Sequence, residues 1–199
     1  MRKKGFTLVE IMVVVVIIGI LAAVGVPKLL GTAERTKRKI DSFNAIELAK
    51  VLERAYESNI IEFPSNTSYS VNVNGQRVDA GKSVAVFVTK GGINFYRGSG
   101  DVLVNGGDYH SDNGVAYRRV QRLFEEAGFT NVTINAHKGD GGWECYGAAL
   151  FAGGAIKIFS SDNSADCQSS TTGGNYETVL YKALNGNNPI AAYLPANYR

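Results

Sequence analysis

A single carboxylate interrupts the most apolar stretch of the chain. From Phe6 to Val26 the sequence runs for 21 residues in which only Thr7 and Glu10 are polar. An ionised carboxylate inside a bilayer costs on the order of several kcal/mol unless it is neutralised or paired with a cation. The position of Glu10 therefore predicts ion pairing in a nonpolar environment.

Residue sets that perform catalysis are not found elsewhere in the sequence. His110 and His137 are the two histidines, and they lie in separate predicted loops without a metalloprotease or nucleophile-elbow motif. The segment Gly81-Lys82-Ser83 resembles the end of a phosphate-binding loop, but Gln76 stands where that loop needs a glycine. We expect that the chain is not an enzyme and needs no cofactor.

Acidic residues near the C-terminal third offer a metal-binding alternative. Asp162, Asn163 and Asp166, together with the separate Asp140 and Glu144, supply oxygen atoms of the kind that calcium binds. The regular ligand spacing and central glycine of a calcium loop are missing. No metal site is predicted, and calcium binding stays an alternative.

Composition and charge describe one ordinary globular domain with an apolar start. The chain has 199 residues, 21 Lys and Arg against 18 Asp and Glu, and a net charge of +3. Without Arg2, Lys3 and Lys4 the basic count falls to 21 − 3 = 18 and equals the acidic count. A neutral chain creates no field that attracts nucleic acid, so no sequence-specific nucleic-acid partner is expected.

The apolar run has the length of a membrane span. As a helix it extends roughly 31 Å at 1.5 Å per residue, which is the thickness of the hydrocarbon core of a bilayer. Its alternative is a cleaved secretory signal, whose apolar core is usually shorter, about 7–15 residues. Leu21-Ala22-Ala23 keeps that alternative open.

Helical periodicity continues beyond Pro27 to about Ser58. Leu48, Val51, Leu52 and Ala55 recur at helical spacing among charged residues, which indicates an amphipathic helix. A helix over 6–58 would extend roughly 80 Å, and its first half has no protein of its own to bury against. That half must lie in lipid or among copies of the chain.

Strand patterns dominate the remainder. Strands are predicted around an Asn74-Gly75 hairpin turn and at 83–89, 93–96, 132–136, 143–151 and 155–159, with a last ordered piece at 176–184. Loops are predicted at 60–67 and 98–114, and a short helix around Tyr117 to Phe124 ends at Gly128. The sequence therefore predicts an α+β fold, with a long N-terminal helix packed on an antiparallel sheet.

The N-terminal segment resembles a known family. Gly-Phe-Thr-Leu-Val-Glu at 5–10, and the apolar run that follows to about Leu30, resemble the N-terminus of type IV pilins and the related secretion pseudopilins. The resemblance implies that a prepilin peptidase cuts between Gly5 and Phe6, and that Phe6 becomes an N-methylated amino terminus. It also implies the pilin-like roll as the form of the α+β fold.

Three residues of the N-terminal segment, Glu10, Gly19 and Pro27, acquire assembly roles from the resemblance. In family filaments the residue that matches Glu10 faces the terminal amine of a neighbouring subunit. Opposite charges within about 4–6 Å favour both ionised forms, so one pairing offsets two burial costs. The stretch from Gly19 to Pro27 unwinds in some filaments, although close helix packing by small residues explains the glycines equally well.

The resemblance up to about Leu30, together with the helix and strand patterns beyond it, divides the chain into four parts. These are a leader at 1–5, a transmembrane and polymerisation helix at 6–27, an amphipathic extension at 28–58 and a β-rich head at 59–199. The five basic residues that follow the run oppose this topology under the positive-inside rule, which would place the head in the cytoplasm. The specificity of the motif outweighs that count.

The two cysteines admit one disulfide or two free thiols. Cys145 and Cys167 match in a general way the loop that a disulfide bounds near the C-terminus of family members. The resemblance therefore implies a Cys145–Cys167 bond, which would contribute about 3 kcal/mol on the chain-entropy model. Free thiols would instead require a reducing compartment.

The expected function is that of a filament subunit. The resemblance implies a chain held in the inner membrane by a single pass, then assembled by inner-membrane machinery into a helical homopolymer as a cell-surface pilus that serves adhesion, motility or DNA uptake. A periplasmic pseudopilus of a type II secretion system is the alternative. A minor or tip pilin, with recognition loops at 98–114 and 145–167, is another.

Overall fold

The computed structural model describes residues 7–63, 70–73, 76–79, 83–96, 103–104, 107–108, 115–163 and 188–198. The chain divides into two compact units, one up to Lys37 and one from Arg38 onward, and the second is called the head unit below. Helix α1 (Leu8–Glu57, 50 residues) belongs to both units and continues through Pro27. Helix α2 (Val115–Glu126) lies in the head unit.

Both long helices end in the same way, with a residue in the left-handed region. After α1, Asn59 has φ 54°, and the N–H of Ile60 donates to the carbonyl of Ala55 at 2.9 Å. After α2, Gly128 has φ 92°, and the N–H of Phe129 donates to the carbonyl of Phe124 at 2.8 Å. These bonds satisfy carbonyls that the helix leaves open. The predicted ends, near Ser58 and at Gly128, are confirmed.

A four-stranded antiparallel sheet forms the centre of the head unit. Its strands are β4 (Ser83–Thr89), β5 (Gly92–Tyr96), β8 (Cys145–Phe151) and β9 (Ile156–Ser161), in the spatial order β5-β4-β8-β9. The predicted strands at 83–89 and 93–96 are confirmed, and those at 143–151 and 155–159 are confirmed with shifted ends. The predicted α+β fold, a long N-terminal helix with an antiparallel sheet, is confirmed.

Two smaller sheets complete the strand inventory of the described residues. Strands β2 (Ser70–Val73) and β3 (Gln76–Asp79) pair antiparallel with Val73 opposite Gln76, as the hairpin signal predicted. Strands β1 (Ile61–Glu62), β6 (Leu103–Val104) and β7 (Gly107–Asp108) form the other sheet.

This second small sheet corrects two loop predictions. Ile61 and Glu62 were expected in the loop at 60–67, and β6 and β7 in the loop at 98–114. Strands of two residues carry too little alternation to be read from sequence. Here the pairing of Ile61 with Val104 connects segments that lie far apart in the chain.

The predicted strand at 132–136 is wrong. Residues 132–136 are irregular in the structure, and the N–H groups of Asn135 and Ala136 donate to the carboxylate of Asp41. A strand would need those donors for a neighbouring strand. The predicted piece at 176–184 lies outside the described residues.

The core of the head unit lies between the buried side of α1 and one face of the sheet. Leu48 and Leu52 of α1 join Val86 and Val88 of β4 and Tyr146 of β8 in a single buried cluster. Phe124 and Val120 of α2 enter the same cluster. The opposite face of the sheet buries a second, smaller cluster around Phe87 and Phe159.

Asn188 connects the C-terminal segment to the edge strand β9 through side-chain hydrogen bonds. Its amide nitrogen donates to the carbonyl of Ile158 at 2.6 Å, and its amide oxygen accepts from the N–H of Ser160 at 2.9 Å. Two short 3-10 helices follow (Pro189–Tyr193 and Ala196–Tyr198), and the first buries Ile190 in the core. A side chain thus satisfies backbone groups that an edge strand leaves open.

Candidate assembly segment

The N-terminal part of α1 presents its apolar side chains to the outside. Between Leu8 and Leu30 the large hydrophobic side chains are 51% to 84% exposed. A folded soluble domain rarely leaves a contiguous apolar surface of this extent uncovered. The helix is long and apolar enough to cross a membrane, judged by length and composition.

Glu10 takes part in a capping box at the start of α1. One carboxylate oxygen of Glu10, Oε2, accepts from the backbone N–H of Thr7 at 2.8 Å and from the Thr7 hydroxyl at 2.8 Å. The hydroxyl oxygen of Thr7 in turn accepts from the N–H of Glu10 at 3.3 Å. These reciprocal bonds satisfy N–H groups that the first helical turn leaves open. The same bonds hold the Glu10 carboxylate at the helix N-terminus, where the macrodipole favours negative charge.

The glycines at 19, 25 and 31 of α1 are not required by packing within the described part of the chain. A β-carbon placed on Gly19, Gly25 or Gly31 would meet no described atom within 4 Å. Each glycine nevertheless weakens the helix by roughly 1 kcal/mol relative to alanine.

A buried carboxylate on the other part of α1 organises the head unit. Asp41 is 0% exposed and accepts hydrogen bonds from four donor groups. Two are the N–H and the side-chain amide of Asn135, at 3.0 and 2.7 Å, and a third is the N–H of Ala136 at 2.8 Å. The fourth is the indole N–H of Trp143 at 3.1 Å. We call this set the Asp41 cluster; it holds the segment before Trp143 against α1.

Two further polar contacts flank the Asp41 cluster on α1. One turn earlier, Arg38 donates to the Tyr193 hydroxyl at 3.2 Å, and the ring of Tyr193 meets Trp143 edge-on at 6.1 Å. One turn later, the amide of Asn44 donates to the Tyr146 hydroxyl at 3.4 Å. Burial raises the pKa of Tyr146, and the Asn44 bond offsets part of that rise. Such directional contacts fix the rotation of α1 on the head in a way that apolar packing alone does not.

Comparison with known proteins assigns the N-terminal segment. Residues 1–26 match the family model described as the prokaryotic N-terminal methylation motif. The segment is that of the type IV pilin-like family.

Curated relatives of this chain carry two kinds of name. A type II secretion system core protein G of Pectobacterium carotovorum is 41% identical over 32% of this chain and 40% of its own length. The Escherichia coli protein of the same name is 33% identical over 37% of this chain and 59% of its own length. A fimbrial protein of Pseudomonas aeruginosa is 38% identical over 35% of this chain and 47% of its own length.

The likeness to these relatives is partial. The matched regions span about 40% to 59% of the relatives' own lengths. No solved structure matches the chain.

The structure places only some of the residues that the sequence singled out. Gly5, Phe6 and Cys167 lie outside the described residues, so the cleavage, methylation and disulfide predictions stay predictions. Cys145 opens β8 and is 1% exposed. Glu10, Gly19 and Pro27 all lie in α1, and their assembly roles stay predictions.

The acidic residues considered for calcium do not gather in the described part of the chain. Among those residues, no three side chains of His, Cys, Asp or Glu lie together as metal ligands. Glu144 forms an ion pair with Lys90 at 3.5 Å, and Asp166 lies outside the description. The calcium alternative gains no support from this geometry.

Two structural roles escaped the sequence analysis. Thr7 and Glu10 have the Thr-x-x-Glu spacing of a capping box, and this signal can be read from the sequence alone. The role of Asp41 is harder to find, because its partners lie 94 to 102 residues away. A usable signal is its place four and seven residues before the core positions Ala45 and Leu48, where an unpaired acid would be costly.

Proposed function

We propose that this chain is the structural subunit of a type IV pilus filament, without catalytic activity of its own. It is made with the leader 1–5, cut after Gly5, methylated at Phe6 and polymerised through the N-terminal part of α1. The observation that carries the proposal is the uncovered apolar surface between Leu8 and Leu30, which begins with the ordered carboxylate of Glu10. Adhesion, motility and DNA uptake are functions that such a filament serves.

We expect the apolar surface to be buried first by lipid and, after assembly, by other copies of the chain. Before assembly it lies in the inner membrane as a single span, since its length equals bilayer thickness. After assembly the same side chains pack against α1 of other copies. Contacts of this head-to-tail kind do not close, so they generate a helical filament.

We propose that Glu10 guides the subunit from the membrane into the filament. Oxygen Oε2 of the carboxylate accepts hydrogen bonds from Thr7. We propose that Oε1 accepts a hydrogen bond from the methylated amine of Phe6 in a neighbouring subunit. Ordering of the carboxylate before the partner arrives lowers the entropy lost on pairing. A carboxylate without that partner would be buried at high cost, so the pairing sets the axial register of the subunits.

The cysteine pair belongs to the same proposal. Cys145 lies within the buried sheet, and a bond to Cys167 would close the segment that follows β9. Such a bond forms in the oxidising space outside the inner membrane, where a pilus head resides.

A pseudopilus subunit of a type II secretion system is the second candidate. The names of the Pectobacterium and Escherichia coli relatives favour it. Both candidates share cleavage, methylation and polymerisation, and they differ in where the filament ends. A pilus is recovered by shearing cells, whereas a pseudopilus stays with the envelope.

Replacement of the carboxylate tests the proposal. We expect Glu10→Ala to be cleaved and methylated like the wild type but to fall roughly tenfold or more in the filament fraction, a loss equivalent to about 1.4 kcal/mol per subunit contact. Glu53→Ala, which removes an exposed acid from the head part of α1, is the matched control and should assemble normally. Unimpaired assembly of Glu10→Ala would contradict the proposal.

A further inference from the structure

The head unit carries one apolar protrusion on α1. Among its described residues, the large hydrophobic side chains that are exposed are Ile40 and Phe43, at 44% and 61%. They lie three residues apart and therefore on one side of the helix. We call this pair the knob. A phenylalanine ring next to an isoleucine forms a small exposed apolar patch that a second molecule can contact.

The head unit also carries a groove where its two helices end. Five apolar side chains line it, namely Val51, Ala55, Ile60, Leu123 and Ala127, and its charged lining residues are Arg54 and Glu126. Its cavity volume is about 260 Å³. An apolar cavity of about 150 Å³ already accommodates a benzene molecule, so the groove has room for a phenyl ring. We call it the terminal groove.

The knob does not fill the terminal groove of its own chain. Val51 and Ala55 follow Phe43 by eight and twelve residues on the same helix, which is about 12 and 18 Å along the axis. Both side chains also turn toward the core, where they are 6% and 3% exposed, whereas Phe43 turns away from it. A contact between knob and groove therefore requires two copies.

We propose that Ile40 and Phe43 of one copy insert into the terminal groove of a second copy of this chain. This inference rests on the proposed function, since it adds a contact between heads to the contacts of the apolar run. Knob and groove are different surfaces, so the contact is heterologous and leaves a free knob and a free groove on every pair. It can thus be repeated along a filament.

The charges around the two surfaces are complementary. Lys39 is exposed beside the knob, and Glu126 lies at the α2 edge of the groove. Glu47 lies one turn beyond Phe43 on the knob side, and Arg54 of α1 is among the residues that line the groove. Glu47 already pairs with Lys50 at 2.7 Å, but an exposed pair of this kind is weak and exchanges its partner at little cost. The charges select the orientation of the second copy, and the apolar contact supplies the affinity.

A double-cysteine variant tests the contact in assembled filaments. Ala127 is exposed and lines the groove, so Phe43→Cys with Ala127→Cys should form disulfides between copies on oxidation. The expected product is a ladder of dimers and larger multimers in the filament fraction, absent from either single variant. Phe43→Cys with Glu125→Cys is the matched control, because Glu125 lies two residues before Ala127, at the end of α2, and is exposed but does not line the groove.

The possible outcomes separate this inference from the proposed function. Filaments of the Phe43→Cys, Ala127→Cys variant that give no ladder, or a ladder equal to that of the control pair, overturn the contact and leave the proposed function standing. Absence of filaments in the wild type overturns the proposed function itself. Efficient labelling of the single variant Phe43→Cys by a water-soluble maleimide in intact filaments would also overturn the contact.

Charge exchange keeps the inference testable if the cysteine variant does not assemble. Lys39→Glu and Glu126→Lys should each lower filament yield roughly two- to fivefold, the range that a surface ion pair supports. The double exchange should restore the yield. A double variant that is as poor as the two single variants combined overturns the pairing.

Discussion

The two parts of α1 show how one helix serves two environments. In the N-terminal part Leu21 is 68% exposed, and in the head part Leu52 is 0% exposed, although both are leucines of a continuous helix. Each part also holds a noteworthy carboxylate. Glu10 accepts hydrogen bonds from its neighbour Thr7, whereas Asp41 receives four donors from distant residues.

Helix propensity therefore decides little about the role of a segment of this chain. The head part is stable because it completes a core, and the Asp41 carboxylate is satisfied within the chain. The N-terminal part has its apolar surface still to be covered. Substitutions in the head part should therefore change folding, and substitutions in the N-terminal part should change assembly.

The largest effect on folding is expected at Asp41. Asp41→Ala leaves the N–H groups of Asn135, Ala136 and Trp143 buried without their acceptor, which should lower the free energy of unfolding by about 3–5 kcal/mol. The measurement is urea denaturation of the detergent-solubilised full chain, followed by the fluorescence of Trp143, the one tryptophan.

Ser42→Ala is the matched control for the Asp41 variant. Ser42 is also buried, but its hydroxyl donates to the carbonyl of Lys39 within the helix. We expect a change within about 0.5–1 kcal/mol. Equal losses for the two variants would mean that the Asp41 cluster has no special role in the head unit.

The same substitution, leucine to alanine, should lower the stability of the head in one part of α1 and leave it unchanged in the other. Leu52→Ala removes a fully buried side chain and should cost about 2–5 kcal/mol of head stability. Leu21→Ala should leave that stability within about 0.5 kcal/mol, because the side chain is exposed. Urea denaturation of the full-length variants checks both, and a loss at Leu21 that equals the loss at Leu52 would contradict the division of roles.

Much of the head could be predicted from the sequence because its signals are local. The spacing of Leu48, Leu52 and Ala55, the alternation over 83–89 and the glycine at 128 each lie within one element. Glu10 was identified in the same way, by its contrast with the apolar residues around it. The failures involve contacts between distant segments. Residues 132–136 have strand-like composition, yet their donors are satisfied by Asp41, and no local pattern reports that partner.

The cap of α2 should contribute a smaller amount. Gly128 has φ 92°, where an added β-carbon meets no described atom but the backbone conformation is strained for any L residue. Gly128→Ala should therefore lower the free energy of unfolding by about 1–2 kcal/mol. Gly139→Ala, at a glycine without positive φ and with open space around it, should change it by less than about 0.5 kcal/mol. Indistinguishable urea midpoints would exclude strain as the role of Gly128.

The smallest effect is a pH dependence at Tyr146. Burial raises the pKa of its phenol above the value of about 10 that an unfolded tyrosine has. The unfolded chain then releases this proton first, so the contribution of Tyr146 is complete below pH ~10 and is lost as the pH rises further. This loss lowers the free energy of unfolding by up to about 1.4 kcal/mol per pH unit, and Tyr146→Phe should abolish it.

Paired denaturation curves check the Tyr146 prediction. At neutral pH the wild type and Tyr146→Phe should differ by only about 0.5–1.5 kcal/mol, from the lost bond to Asn44. The difference in free energy of unfolding should shrink above pH ~10, because ionisation of Tyr146 in the unfolded chain then favours unfolding of the wild type. Parallel curves up to pH ~11 would indicate that the phenol ionises equally in both states.

The proposed function requires that the N-terminal part of α1 becomes a filament interface after processing. Its most direct test is the intact mass of the chain in sheared cell-surface filaments and in the membrane fraction. The account predicts a sheared chain that begins at methylated Phe6 and lacks two hydrogens through the cysteine bond. A processed chain confined to the membrane fraction would favour the pseudopilus, and a chain that still begins at Met1 with reduced cysteines would contradict the account.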